Sequence, residues 1–423
     1  MAADLLWTLV FAAWLLLAVL LRAWLLWRQM RHVARHAHRV PAPFAGWVDP
    51  AQHQRAARYT LDKAQLTLLE MLFGSAVLVA WTLLGGLDAL NRLLLAWLGE
   101  GLAQQVALVA AFLAIGATLE LPWAWWRTFR LEQRHGFNRT TLALWVADGL
   151  KGALVAAVLG LPLLAAVLWL MEHGGGLWWL WVWGVWMGFQ VLLLLIFPRV
   201  IAPLFNRFEP LRDEALLARV QALLQRCGFR AEGVFVVDGS RRSAHANAYF
   251  TGIGPTKRVV LFDTLLQHLT PEQIEAVLAH ELGHARLRHI PRRLALLAAT
   301  SAAGLALLAW LAQQPWFYHG LGVTPQLAGG NAALALILFL LLAPLAGVWL
   351  TPLLNALSRR DEFAADTFAS QHASAAALAQ ALLALHRDNA STLTPDPLYV
   401  RFHYSHPPAA QRLARLGLAG DPT

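Results

Sequence analysis

Three residues could carry hydrolytic chemistry: His280, Glu281 and His284, in the order H-E-L-G-H. An α-helix turns once every 3.6 residues, so side chains at i and i+4 share a face. The two imidazoles can therefore share one zinc ion. Glu281 stands beside them, where a carboxylate can take a proton from zinc-bound water. The surrounding sequence has the signals of a helix. Thr270 suits the N-cap, Pro271 the first helical position, and Gln273 completes a capping box. Ile274, Val277, Leu278 and Leu282 then recur at helical spacing and predict a buried stripe.

Two histidines need a third protein ligand, with the fourth position left to water. Glu362 is the candidate, and Asp366 follows four residues later on the same helical face. Asp366 is placed to hold a ligand histidine through its other ring nitrogen. Near the end of the chain stand H-Y-S-H-P-P at 403–408 and Arg412. His406 could donate to the oxyanion formed when a peptide carbonyl is attacked. Arg412 could orient an acidic neighbour such as Asp366. Cys227 is the single cysteine, which excludes a disulfide framework and a cysteine-rich metal site.

The elements that must position these residues are set by a membrane. The chain is 58% hydrophobic and 14% charged, too apolar for an ordinary soluble protein. Seven stretches are long and apolar enough to span a bilayer: residues 5–27, 66–87, 106–126, 150–171, 177–197, 294–311 and 332–354. Pro162 and Pro344 should kink their helices. The 20 tryptophans suit interfacial anchoring. Segments 28–63, 127–139, 199–293 and 358–423 hold 31 of the 34 Lys and Arg, and seven spans put all four on one side. The positive-inside rule makes that side cytoplasmic, with the N-terminus outside and the C-terminus inside. Two spans separate the zinc helix from the tail, so both face the cytoplasm. The net charge of +9 then reflects basic loops, and no nucleic-acid partner is expected. Glu70, Glu120 and Lys151 lie near predicted span ends, where snorkelling accounts for them.

Between the fifth and sixth spans the sequence predicts a small α+β insertion. A helix covers about 212–227, and Gly228 can end it. A β-rich run at 234–237 leads to a turn at 238–240. Residues 248–251 and 258–262 flank Gly-Ile-Gly-Pro and read as a hairpin. An edge strand there could hold an extended substrate by main-chain hydrogen bonds. The chain divides into a five-span block at 1–200, the insertion at 201–293, two further spans at 294–357, and a C-terminal helical part at 358–423. The fold class is a predominantly α-helical integral membrane protein with a small α+β metallopeptidase insertion.

Four motifs in order carry a resemblance. They are S-x-H-x-N-A-Y-F at 243–250, H-E-L-G-H at 280–284, S-R-x-x-E-x-x-A-D at 358–366, and Y-S-H-P-P-x-x-x-R at 404–412. Together with the span count they resemble the type I CAAX prenyl proteases, integral-membrane zinc metallopeptidases of the gluzincin type. The resemblance implies that His280, His284 and Glu362 hold one zinc ion and that Glu281 is general base and then acid. It implies that His406 stabilises the transition state, that Asp366 and Arg412 support the site, and that Asn247 and Ala248 lie on the substrate-pairing strand. It also implies a water-filled chamber enclosed by the seven helices, with zinc at its cytoplasmic end. The partners are then a peptide or protein substrate and the lipid bilayer.

The Ala/Leu/Arg-rich composition has the look of a GC-rich bacterial genome, so an inner-membrane location is expected. Two rival functions share the site. One is a membrane quality-control protease of the HtpX heat-shock type, and the other is a non-catalytic membrane scaffold with a structural zinc. The intact Glu281 favours an enzyme, because a structural site has no need of a base.

Overall fold

In the computed structural model the fold is described for residues 2–251, 258–326 and 330–417. The chain begins with α1 (Ala2–His36), α2 (Pro50–Trp81) and a short α3 (Gly86–Leu98), followed by α4 (Leu102–Trp126), α5 (Leu142–His173) and α6 (Trp178–Ile196). Wide π-turns prolong α4 and α6, and α6 leads into the one-turn α7 (Ala202–Phe205). The next helices are α8 (Glu214–Arg226), α9 (Asp263–His268), α10 (Pro271–Arg286) and α11 (His289–Leu311). The last are α12 (Pro315–His319), α13 (Ala332–His372), α14 (Ala375–Asp388), α15 (Pro397–His403) and α16 (Ala409–Arg415).

Among the described residues seven helices are long and apolar enough to cross a membrane: α1, α2, α4, α5, α6, α11 and α13. The second differs from the predicted 66–87. It starts at Pro50, because hydropathy reads the lipid-buried part of a helix and not its polar beginning. It stops at Trp81, where the chain turns through Gly85 at φ 74° into α3. Pro162 and Pro344 both lie inside continuous helices.

The seven helices pack in a ring. Going round, α1 meets α2, α4 meets α5, α5 meets α6, α6 meets α11, α11 meets α13, and α13 returns to α1, while α13 also crosses to α4 and α5. Phe73 on Trp123 and Trp81 on Phe112 join α2 to α4, with ring centroids 5.4 and 5.1 Å apart. One end of the ring is filled by Phe11, Leu15, Leu108, Leu308, Phe317 and Leu338. Buried polar groups pair there too: Gln104 donates to Asn91 at 2.9 Å, and the Ala333 amide to Gln105 at 3.0 Å. Elsewhere the helices are barely covered, and α5 buries Leu168 alone.

The insertion holds a four-stranded sheet in the order β1-β2-β4-β3. β1 (Phe208–Pro210) pairs antiparallel with β2 (Gly233–Val237). β2 runs parallel to β4 (Arg258–Phe262), which pairs antiparallel with β3 (Ala248–Thr251). β3 and β4 keep the predicted hairpin bounds, and the Gly-Ile-Gly-Pro turn lies outside the described residues. Parallel pairing of β2 with β4 needs a crossover, supplied by the 3-10 turn at Gly239–Arg241 and β3 itself. Only glycine fits at 239, since a Cβ there would lie 2.3 Å from the Phe262 ring. Below the sheet, α8 and α10 bury Val220, Leu223, Ile274, Leu278 and Leu282 in one core with Leu261, Ala369 and Leu378. The stripe read from the sequence is the face that packs.

Candidate metal centre

The centre forms where α10 crosses α13. The N-terminus of α10 is fixed by a capping box, in which Thr270 accepts from the Gln273 amide and Gln273 from the Thr270 amide. Gly283 lets the helices approach: a Cβ there would lie 3.1 Å from the Cα of Ala365. α13 is one unbroken helix of 41 residues, and its far end buries Asp361, Glu362, Ala365, Asp366 and Ala369 against α10. Exposed Leu350, Leu353, Leu354 and Leu357 precede that buried set on the same helix.

His280, His284 and Glu362 meet there, one possible ligand atom from each within 4.8 Å of the others. The Nε2 atoms of the two histidines are 3.2 Å apart. His280 Nε2 lies 3.4 Å from Glu362 Oε2, and His284 Nε2 lies 3.3 Å from Glu362 Oε1. In a tetrahedral site with bonds of about 2.0–2.1 Å, ligand atoms sit about 3.3 Å apart. The spacing therefore fits one zinc-sized ion. Glu362 Oε2 is buried and makes no well-aligned hydrogen bond, although His406 Nδ1 lies 2.8 Å away, so the oxygen is placed to take up a cation. Two neutral imidazoles and a carboxylate are also the donor types that zinc takes in hydrolytic sites.

The outer nitrogens are held as well. Asp366 Oδ1 lies 2.9 Å from His280 Nδ1. Arg412 grips Asp366 by both forks, Nε to Oδ2 at 2.8 Å and Nη2 to Oδ1 at 2.5 Å. His406 Nδ1 is 2.8 Å from Glu362 Oε2, while its side chain is 66% exposed. It thus stands at the open edge of the site. Burial lowers the His280 pKa, but hydrogen bonds to Asp366 and Glu362 outweigh it and raise it to about 9. That proton must leave when a metal is loaded. Burial raises the pKa of Glu281, opposed by the charges of His280 and His284. A carboxylate made more basic is a better proton acceptor near neutral pH.

β3 is an edge strand lying against α10. Asn247 C=O accepts from Phe262 N at 3.1 Å, so by strand alternation Ala248 turns its amide and carbonyl to the open edge. The Ala248 amide there donates to Asn247 Oδ1 at 2.8 Å.

Two family models match in series: the CAAX prenyl protease N-terminal region with five membrane helices over residues 29–207, and peptidase family M48 over 210–418. A CAAX prenyl protease 1 homolog of Oryza sativa is 32% identical, with 91% of this chain and 92% of the relative covered. The chain belongs to peptidase family M48. The human CAAX prenyl protease 1 homolog is 30% identical over 98% of this chain and 97% of its own. A crystal structure of S. mikatae Ste24p superposes with a TM-score of 0.91 at 28% identity, covering 97% of this chain and 99% of that one. As an M48 member the chain is a multi-pass membrane metallopeptidase that acts on peptide substrates.

One residue of this M48 site escaped the sequence reading. His284 Nδ1 lies 2.9 Å from Nδ1 of His289, which is buried. With Nε2 of His284 turned to the metal position, its proton sits on Nδ1, and His289 must accept it. His289 Nε2 in turn lies 3.8 Å from Asp361, which is paired with Arg292. Arg288 takes a left-handed turn at φ 56° between α10 and α11, and this brings His289 back under His284. No helical period links positions 284 and 289, so the pairing had no local signal. Outer partners of ligand histidines typically govern 10–100-fold in metal affinity. His289→Ala should weaken zinc binding by about that factor, measured by competition with a chromogenic chelator. An unchanged affinity would make His289 a packing residue only.

Proposed function

We propose that this chain is a zinc metalloendopeptidase that holds one zinc per chain and carries out CAAX-type C-terminal processing at the cytoplasmic face of a bacterial inner membrane. The observation that carries the zinc reading is the 3.2–3.4 Å spacing of the two Nε2 atoms and the Glu362 oxygens. The inside placement rests on the clustering of basic residues in the segments that share the site's side. The processing activity is supported by relatives named as CAAX prenyl proteases. The bacterial setting rests on composition, and the relatives named here are eukaryotic.

His280, His284 and Glu362 would hold the ion, which when bound supplies a water of lowered pKa and polarises a carbonyl. Glu281 takes the proton of the attacking water and hands it to the departing amine. His406, exposed beside Glu362, donates to the oxyanion. Asp366, fixed by Arg412, keeps His280 in one tautomer and one orientation. A substrate in extended form adds to β3, taking the Ala248 amide from Asn247. The boundaries 1–200, 201–293, 294–357 and 358–423 remain our working division of the chain.

The test is cleavage by the detergent-purified protein of a farnesylated CAAX peptide and its unmodified counterpart, with and without chelator. The expected result is cleavage of the farnesylated peptide, abolished by the chelator and restored by zinc. Cleavage only of unmodified or unfolded chains would move the function to quality control. Bound zinc with no cleavage of any substrate would leave a scaffold.

A further inference from the structure

We infer that a second binding site, for the phosphate headgroup of an anionic membrane lipid, lies on α13 on the face opposite the metal ligands. An open groove of about 460 Å³ is lined by Arg359, Arg360, Phe363, Thr367 and Arg415. Among the described residues no carboxylate lines it. The acids of this stretch, Asp361, Glu362 and Asp366, are buried and turned to the other side, towards α10 and α11. Among the described residues Arg360 has no ion pair or hydrogen bond, and Arg415 has only its stack 3.6 Å over the Phe363 ring. Arg359 spends one nitrogen on the carbonyls of Val400 and Tyr404, at 3.2 and 2.6 Å. Its remaining donors are uncommitted.

Three guanidinium groups with no counter-charge among the described residues make a concave site for an anion. Their planar forks suit a phosphate diester. The position supplies the other half of the argument. Positions 349, 353, 356, 360, 363 and 367 recur at steps of 4, 3, 4, 3 and 4, so they form one stripe along α13. Its first members, Trp349 and Leu353, are 44% and 62% exposed. They are apolar side chains suited to acyl chains. The stripe becomes cationic at Arg360, where the apolar run ends. A lipid lying along Trp349 and Leu353 would bring its phosphate to Arg360 and Arg415. Basic pockets at the end of a membrane span are recognised sites for acidic headgroups.

The test uses the full-length protein in detergent. Bound lipid is measured after exposure to mixed micelles holding phosphatidylglycerol or phosphatidylcholine, with glycerol phosphate and inorganic phosphate as soluble competitors. We expect wild type to prefer phosphatidylglycerol about 10-fold or more, from about two effective cationic contacts. Arg360→Gln with Arg415→Gln should remove that preference while peptide cleavage in neutral detergent persists. Thr367→Glu, which places a negative charge in the groove without removing an arginine, should do the same. An unaltered preference in both variants would overturn the site. So would soluble phosphate competing at concentrations that leave lipid selectivity absent, because the groove would then be a site for a free anion.

Discussion

Glu281→Gln should abolish cleavage and leave the zinc where it is. The substitution keeps the shape of the side chain and removes its ability to accept a proton. Glu281 is not in the set of atoms that meet around the metal position, which is His280, His284 and Glu362. Metal content should thus stay at one ion per chain, while the cleavage rate falls by about 10²–10⁴-fold, the usual range for general acid–base groups. Metal analysis and a single-turnover peptide assay on one preparation decide it. Retained cleavage would take the base from Glu281 and give it to another group. Lost zinc would mean that the carboxylate supports the ligands instead.

Arg412→Met is expected to have the largest effect on stability. Arg412 and Asp366 are 7% and 2% exposed, and two forked hydrogen bonds join them. Removing Arg412 takes two charge-assisted hydrogen bonds from the buried Asp366 carboxylate and leaves His280 Nδ1, at 2.9 Å, beside it, at a cost of about 3 kcal/mol, the low end for a broken buried pair. Calorimetry of the detergent-solubilised protein should show a lowered melting temperature for Arg412→Met. The double variant Asp366→Asn with Arg412→Met should recover part of the loss, since it removes both charges. A double variant as unstable as the sum of the two single ones would assign the effect to packing of the arginine stem. Zinc affinity separates the roles further. It should fall in both single variants, because His280 loses the partner that fixes its outer nitrogen.

The parts legible in the sequence are those with a local period. The α10 cap and stripe, the β3–β4 hairpin and the shared helical face of Glu362 and Asp366 all rest on spacings of a few residues. The spans were legible because about 20 apolar residues have one common use. Where the period was weak the reading failed. α3 and α12 are short and sit at the filled end of the ring, where hydropathy alone merges them with neighbouring spans or turns. The polar first turns of α2 are helical yet carry no lipid-facing signal. β1 is three residues long and shows no alternation. Contacts between distant parts had no signal either. Asp396, which accepts from Arg28 and from its own helix start, ties α15 to α1 across 368 positions. His289 belongs to this class, because only a backbone turn at Arg288 makes it a neighbour of His284.

The single rod of α13 bears on how separable the parts of this enzyme are. Its 41 residues extend about 60 Å at 1.5 Å per residue, and no break stands between the apolar run and Glu362. The peptidase-family match, residues 210–418, therefore contains two complete crossings of its own. Division at residue 208 would leave a catalytic half still embedded, and trimming that half to its polar portion would sever the carboxylate from the beam that aims it. The hydrolytic machinery here is not a soluble module on a tether. It is built into a helix of the membrane frame, so in this chain the bilayer-crossing segment and the ligand set are one continuous piece.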